Sequence, residues 1–488
     1  MLGKDYWFGL LFSVCLFVLA DSTKTAEAGS PPNLLLITAD DMNADSAGWM
    51  GSPLNATPVL DSLALSAHRF RRHHVTVPIC QPGREAFMTG RVPHRSGGLG
   101  FNPIHPGTPT LTSLLKNHGW FTGVIEKHAH MKPDAEFPWD VRLSGSGKNP
   151  VLMREHMHQL LQQASASGRP FFINANITDP HRPFPGASAA GSAKQNKKAD
   201  RQKQAQEFTS RVFRAEEVAV PAFLEDLPAV RSEVAQYYTA VARLDQTLHC
   251  ILSELEASGQ ASRTVVVFLS DHGMSFPFSK ASVYINGTHS PVLLKYPDMP
   301  AAADHDEFVS SVDLLPTLLD LLGVEHPRGL DGQSWLPLLK GETQQGRDAV
   351  VTHVNSVSSG KSFPQRCIRT ANFALMYHGW PDGTAKFRVE AMSGSTWNAL
   401  TAAAETSPQI AARVRQFQTG EPLMFFDLIS DPTERRNLIR EPAHAAAINE
   451  LATRLLEHME RTGDPEREGL IRTLGEWRRS ASSPNSGR

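Results

Sequence analysis

Four apolar runs, each stopping abruptly at charged or titratable side chains, constrain this chain more than any other feature. Residues 33–38 lead to Asp40 and Asp41, residues 120–125 to Glu126, Lys127, His128 and His130, residues 171–177 to Asp179 and His181, and residues 264–269 to Asp271 and His272. Continuous rather than alternating hydrophobicity marks strands buried on both faces, as in a parallel sheet. Helical spacing in 57–67, 111–118, 151–166 and 229–255 predicts helices that cover such a sheet on both sides. The expected fold class is therefore α/β, a large, mostly parallel sheet sandwiched by helices. The C-terminal strand ends of such a sheet share one edge, where ligands bind. Two adjacent carboxylates at one of those ends repel each other, and a divalent cation is the usual reason for holding them there.

Between the first two runs, a strand predicted over 70–77 delivers Cys80, which opens Cys80-Gln81-Pro82-Gly83-Arg84 and continues to Thr89-Gly90-Arg91. A helix predicted over 85–89 would turn its N-terminal N–H groups toward an anion beside the cysteine. Lys280 follows His272 in a Phe- and Pro-rich loop; strands at 291–296 and 307–309 and a helix at 313–322 complete a main domain over 31–345. Shorter strands at 350–354, 368–377, 387–389 and 424–428, closed by a helix at 443–461, predict a smaller C-terminal α+β subdomain over 346–465. Residues 479–488 are Ser- and Pro-rich and predict a disordered tail.

Residues 1–20 carry Lys4, an apolar stretch and a Val18-Leu19-Ala20 end, the pattern of a secretory signal whose removal leaves no stable membrane span. Without that segment three cysteines remain, Cys80, Cys250 and Cys367; if Cys80 is consumed chemically, the other two are available to pair. A formal net charge of -2 offers no basic stripe for a nucleic acid. Residues 185–210 are small, polar and Lys-containing, and predict an exposed loop. Asn55, Asn176 and Asn286 open glycosylation-type triplets.

The Cys80-x-Pro82-x-Arg84 core with Thr89-Gly90-Arg91 resembles the signature of the sulfatases, members of the alkaline-phosphatase-like superfamily. Asp179-Pro180-His181-Arg182-Pro183, 220–224 and 275–278 resemble the sulfamidase, or heparan N-sulfatase, branch, and 426–438 resembles the family's C-terminal segment. The resemblance implies that a formylglycine-generating or other sulfatase-maturing enzyme oxidises Cys80 to formylglycine. It implies calcium bound by Asp40, Asp41, Asp271 and His272, with the modified Cys80 completing the shell. Arg84 would hold the formylglycine hydrate, and Lys127, His130, His181 and Lys280 would contact sulfate, one histidine acting as general acid. Three positions depart from the family pattern: Gly83 stands where serine is commoner, Glu126 replaces a glycine, and His272 replaces asparagine, its imidazole being a softer ligand than an amide oxygen. The implied activity is hydrolysis of a sulfate ester or sulfamate on a sulfated carbohydrate, of N-sulfoglucosamine type. Alternatives are an aryl or alkyl sulfatase, a phosphonate monoester hydrolase, or, in a different class, an inactive glycan-binding homologue in which Cys80 stays a thiol.

Overall fold

The computed structural model describes residues 31–186 and 211–482; the signal-like segment and most of the Lys-containing loop lie outside the described residues. The main sheet has eight strands in the order β4-β3-β5-β1-β6-β7-β2-β8. These are β1 (Asn33–Asp40), β2 (His68–His74), β3 (Phe121–Ile125), β4 (Val141–Leu143), β5 (Phe171–Pro180), β6 (Thr264–Ser270), β7 (Val292–Lys295) and β8 (Asp304–Ser310). All neighbours run parallel except β7, which is antiparallel to both β6 and β2.

Every residue of β1, β3 and β6 is buried, which accounts for their unbroken apolar character. Side chains alternate along β1 into two cores. Leu35, Ile37 and Ala39 pack with α4 (Pro150–Ser167) and the long α5 (Pro228–Ala257), while Leu34 and Leu36 pack with α3 (Leu111–Asn117) and α6 (Leu314–Leu322). Helix α1 (Pro58–Leu65) starts at a proline, but Thr57 does not cap it. Its first N–H groups are bound instead by Asp245 of α5, Val59 N donating at 3.0 Å and Leu60 N at 2.9 Å. This satisfies the helix end from a neighbouring element.

A second, antiparallel sheet has the order β12-β11-β10-β9, from β9 (Ala349–Ser356), β10 (Ser362–Thr370), β11 (Phe373–His378) and β12 (Leu423–Asp427). One face, with Cys367 and Met376, joins the first core. The other, with Ile368 and Phe425, packs on α7 (Ala445–Thr462) and α8 (Arg467–Ser482). The architecture is the expected α/β sheet with a smaller α+β part, and Pro32 onward clusters as one compact unit.

Several local expectations need correction. The apolar run 368–377 is two strands folded back on each other about Ala371 and Asn372. Residues 387–389 form no strand, although Phe387 and Val389 are buried. A boundary at 465 and a disordered tail from 479 miss α8, which buries Leu470 and Leu474 and runs to Ser482; residues 483–488 lie outside the described residues. Cys250 and Cys367 are both buried free thiols, not a disulfide. Asn176 is fully buried and hydrogen-bonded inside the protein, which closes it to glycosylation, whereas Asn55 is exposed.

Candidate active site

The C-terminal ends of β3, β5, β1 and β6 meet along one edge of the sheet, and their loops bring the sequence-predicted side chains together. The chain makes tight turns there. Asp41, Glu126, Lys127, Phe278 and Ala281 all have positive φ, between 52° and 73°, although none is glycine. Such backbone costs of order 1–3 kcal/mol per residue and persists where the surroundings hold it. Glu126 shows why glycine suits its position, and its carboxylate secures the turn by accepting from Ser146 Oγ at 2.9 Å and Gly147 N at 3.1 Å.

Helix α2 (Cys80–Thr89) begins at Cys80 itself, five residues before the predicted start, and all ten of its residues are buried. Pro82 fits because the first helical turn needs no N–H from it. Gly83 fits because a Cβ there would lie 2.7 Å from the Val77 carbonyl oxygen. The Cys80 Sγ lies 3.6 Å from Asp40 Oδ1 and 3.2 Å from His272 Nε2. One turn along α2, Arg84 is fully buried, donating to Asn176 Oδ1 at 2.5 Å and to Asp271 Oδ2 at 2.8 Å.

Asp40, Asp41, Cys80 and His272 form a buried group whose donor atoms are close enough to share one metal ion. Asp271 sits beside it, accepting from Asp41 N at 3.2 Å, with Oδ1 3.7 Å from His272 Nε2. Asp40, Asp41 and Asp271 are all buried, so three carboxylates face one another away from water. Three buried carboxylates beside an imidazole and a thiol, with donor atoms close enough to share one ion, fit a divalent cation. Charge is balanced from the rim: Lys127 pairs with Asp40, and Lys280 reaches Asp41 at 2.9 Å. Although burial opposes it, Lys127, His181 and Arg84 hold the Asp40 carboxyl well below the carboxylate range. Burial pushes Asp271 upward, as does its neighbour Asp40. Burial also pushes the Cys80 thiol well up, against the pull of Lys280.

The two predicted histidines differ. His181 is half-buried; its Nδ1 donates to the Arg182 carbonyl at 2.6 Å, leaving Nε2 to face Glu390 Oε1 at 3.5 Å. His130 lies near Lys127 and Arg84, and burial together with those charges lowers it to about 3. His128 turns toward Ser144. Asp179, which also follows the third apolar run, binds Arg243 through both oxygens at 2.6 and 2.8 Å and Lys148 at 3.3 Å. Lys148 in turn donates to the carbonyls of His181 and Pro183, so Asp179 anchors the His181 loop.

Sequence reasoning missed Asn176, Lys148 and Glu390. Glu390, from the segment before the second sheet closes, binds Lys280 at 2.9 Å and is held at about 2; burial opposes this, and Lys280 and His181 outweigh it. Nothing in its sequence surroundings marks it. His353, Arg366 and Arg369 of the second sheet lie fully buried rather than at the site; Arg366 and Arg369 bind Asp464 and Glu434.

A helix-start cysteine with an arginine one turn on, set among strand-end carboxylates and lysines, is the arrangement of a sulfatase centre. A family model described as Sulfatase matches residues 32–324, and the chain belongs to the sulfatase family. A second model, N-sulphoglucosamine sulphohydrolase, C-terminal, matches residues 271–383. Human N-sulphoglucosamine sulphohydrolase is 29% identical, over 89% of this chain and 91% of that protein. Two solved structures share the alkaline-phosphatase-like fold. A 2-O GAG sulfatase has TM-score 0.66 at 19% identity, over 90% of this chain and 94% of its own. A protein in complex with its substrate D-glucosamine-2-N,6-O-disulfate has TM-score 0.67 at 17% identity, over 90% and 99%.

Proposed function

We propose that this protein is an exported, formylglycine-dependent sulfatase that removes sulfate from a glycan, with N-sulfated glucosamine as its substrate group. The observation that carries the reading is the juxtaposition of Cys80 with Arg84 on one side and the Asp40, Asp41 and His272 cluster on the other. The N-sulfoglucosamine assignment is supported by the likeness to the human sulphohydrolase and by the match of residues 271–383.

Asp40, Asp41, Asp271, His272 and the modified Cys80 would hold calcium, which supplies Lewis-acid polarisation of the sulfuryl oxygens. A formylglycine hydrate at position 80 would supply the hydroxyl nucleophile toward sulfur and a second hydroxyl for the release of sulfate. A sulfatase-maturing enzyme is the implied partner for that conversion. Arg84, pinned between Asn176 and Asp271, keeps a fixed positive charge beside residue 80. Lys127 and Lys280 supply charge for the remaining sulfate oxygens. His181 is the general acid: its Nδ1–H is committed to a carbonyl, so Nε2, which lies 3.5 Å from Glu390 Oε1, is the nitrogen that can hand a proton to the leaving group. His130, held neutral, contributes position and a hydrogen bond rather than a proton.

The test is peptide mass spectrometry across Cys80 on protein co-expressed with a maturation enzyme, combined with turnover of N-, 2-O- and 6-O-sulfated glucosamines, aryl sulfates and phosphonates. We expect an aldehyde at position 80, fastest release from the N-sulfated sugar and no turnover by Cys80→Ala. Only unmodified Cys80 would refute the mechanism; preference for an aryl sulfate or phosphonate would refute the substrate.

A further inference from the structure

Away from the Cys80 centre, three segments distant in sequence converge on a second group of potential ligands. His94 lies on the short helical turn Pro93–Ser96 that follows α2, His353 is in the middle of β9, and Asp464 sits between α7 and α8. The Asp464 Oδ2 is 3.8 Å from His94 Nδ1 and 3.7 Å from His353 Nδ1. None of the three residues belongs to the cluster around Cys80.

The hydrogen-bond pattern fixes what each ring offers. His94 Nε2 lies 3.2 Å from the Thr462 carbonyl, which can only accept, so Nε2 carries the proton and Nδ1 keeps its lone pair. That Nδ1 has no hydrogen-bond partner. His353 is fully buried, and neither of its ring nitrogens has a partner. Leaving buried polar atoms unmatched costs about 1–3 kcal/mol each, so such a ring calls for an occupant beside it. The carboxylate is held from behind: Arg366 donates to Asp464 Oδ2 at 2.5 Å and to Oδ1 at 2.8 Å, and Glu466 N donates to Oδ1 at 3.0 Å. Ligands oriented by a carbonyl, a guanidinium and a backbone N–H have the supporting contacts that metal sites use.

We propose that His94 Nδ1, His353 Nδ1 and Asp464 Oδ2 form a second metal site, which binds a first-row divalent transition ion of the Zn²⁺ type. Two imidazole donors disfavour calcium, which takes oxygen ligands. Bonds of about 2.0–2.1 Å at tetrahedral angles put donor atoms roughly 3.3 Å apart, so the two Asp464–imidazole distances of 3.8 and 3.7 Å must shorten slightly, and all three donor atoms already lie within 4.8 Å of one another. Burial and the neighbouring Arg366 keep both rings neutral, the form that ligates. The Arg366 charge shares the same carboxylate and weakens affinity, which leaves the imidazoles as the principal ligands. His458, whose ring centroid is 5.5 Å from that of His353, also lines a cavity of about 280 Å³ with Arg461 and Asp313. An ion here would tie the segment leaving the catalytic helix to the second sheet and to the junction of the last two helices.

The test uses the full chain without a histidine tag, stripped with chelator and held in excess Ca²⁺, then titrated with Co²⁺. We expect one equivalent to bind with the visible absorption of a tetrahedral ion, and Zn²⁺ to displace it. Asp40→Asn should retain that equivalent, while His353→Gln and His94→Gln should each lose it or weaken it at least tenfold. His94 is half-buried, so His94→Gln keeps the test decisive if His353→Gln fails to fold. No Co²⁺ bound by the parent protein would show that water fills the site and would overturn the proposal. Loss of the signal in Asp40→Asn but not in the histidine variants would overturn it equally.

Discussion

Glu85 follows Arg84 on the helix that carries Cys80, and it is fully buried. One carboxyl oxygen accepts from Gln81 Nε2 at 3.0 Å and from Lys132 N at 3.4 Å; the other has no partner. Burial pushes this carboxyl from 4.5 up to about 8. Because the folded value lies above the unfolded one, the folded chain keeps its proton across this range while the unfolded chain releases it. The stability contribution is therefore complete below pH 4.5 and is lost as pH rises to about 8. At pH 7 the loss spans the interval above 4.5, at 1.36 kcal/mol per unit, or about 3 kcal/mol. Glu85→Gln keeps the shape and the accepting oxygen but never ionises. For a chain of this size, about 3 kcal/mol corresponds to roughly 3 °C in Tm. Calorimetry at pH 5, 6, 7 and 8 at constant ionic strength should show the variant gaining on the parent with each step, and its activity should persist further into alkali. A Tm gap that is constant with pH, or that widens toward pH 5, would refute the reasoning.

Arg84→Lys replaces a fork that spans Asn176 and Asp271 with a point charge, and kcat/KM should fall by about 10²–10³, measured on matured enzyme. Asp179→Asn leaves the buried Lys148 and Arg243 without their carboxylate and should destabilise the protein by about 3–5 kcal/mol, read from denaturant unfolding. Glu390→Gln removes the carboxylate that binds Lys280 at 2.9 Å and faces His181 Nε2 at 3.5 Å, so both side chains lose a positioning contact and kcat/KM should fall by up to about 10²-fold, measured on matured enzyme. Thiol titration of denatured protein lacking residues 1–20 should find two thiols, Cys250 and Cys367, when Cys80 is converted, and three when it is not.

Much of the sheet is legible in sequence because β1, β3 and β6 are buried on both faces and so read as unbroken apolar runs. The site is legible for a related reason: parallel strands put Asp40, Lys127 and Asp271 at one edge regardless of how far apart they lie in the chain. The antiparallel direction of β7 is not legible, since four residues, Val292–Lys295, carry no signal of orientation. The start of α2 at Cys80 is hidden by Pro82 and Gly83, which look like a loop yet suit a first helical turn. Glu390, Lys148 and Asn176 act through partners far away in sequence, and no spacing rule identifies a lone polar residue of that kind. Arg366 and Arg369 are equally hidden: two arginines in a strand read as exposed charge, but Asp464 and Glu434 neutralise them inside the protein.

Cys80 is only 3% exposed and serves as the first residue of a helix that is buried throughout. For the conversion proposed for Cys80, this sets an order of events during biosynthesis. A modifying enzyme needs the cysteine in an extended, accessible segment, and the completed fold withholds it. The proposed conversion of Cys80 would therefore come before α2 docks, in competition with folding, and a chain that folds first would keep its thiol. The yield of active protein then depends on the relative rates of two processes during synthesis, and later exposure of the folded protein to the modifying enzyme does not recover it.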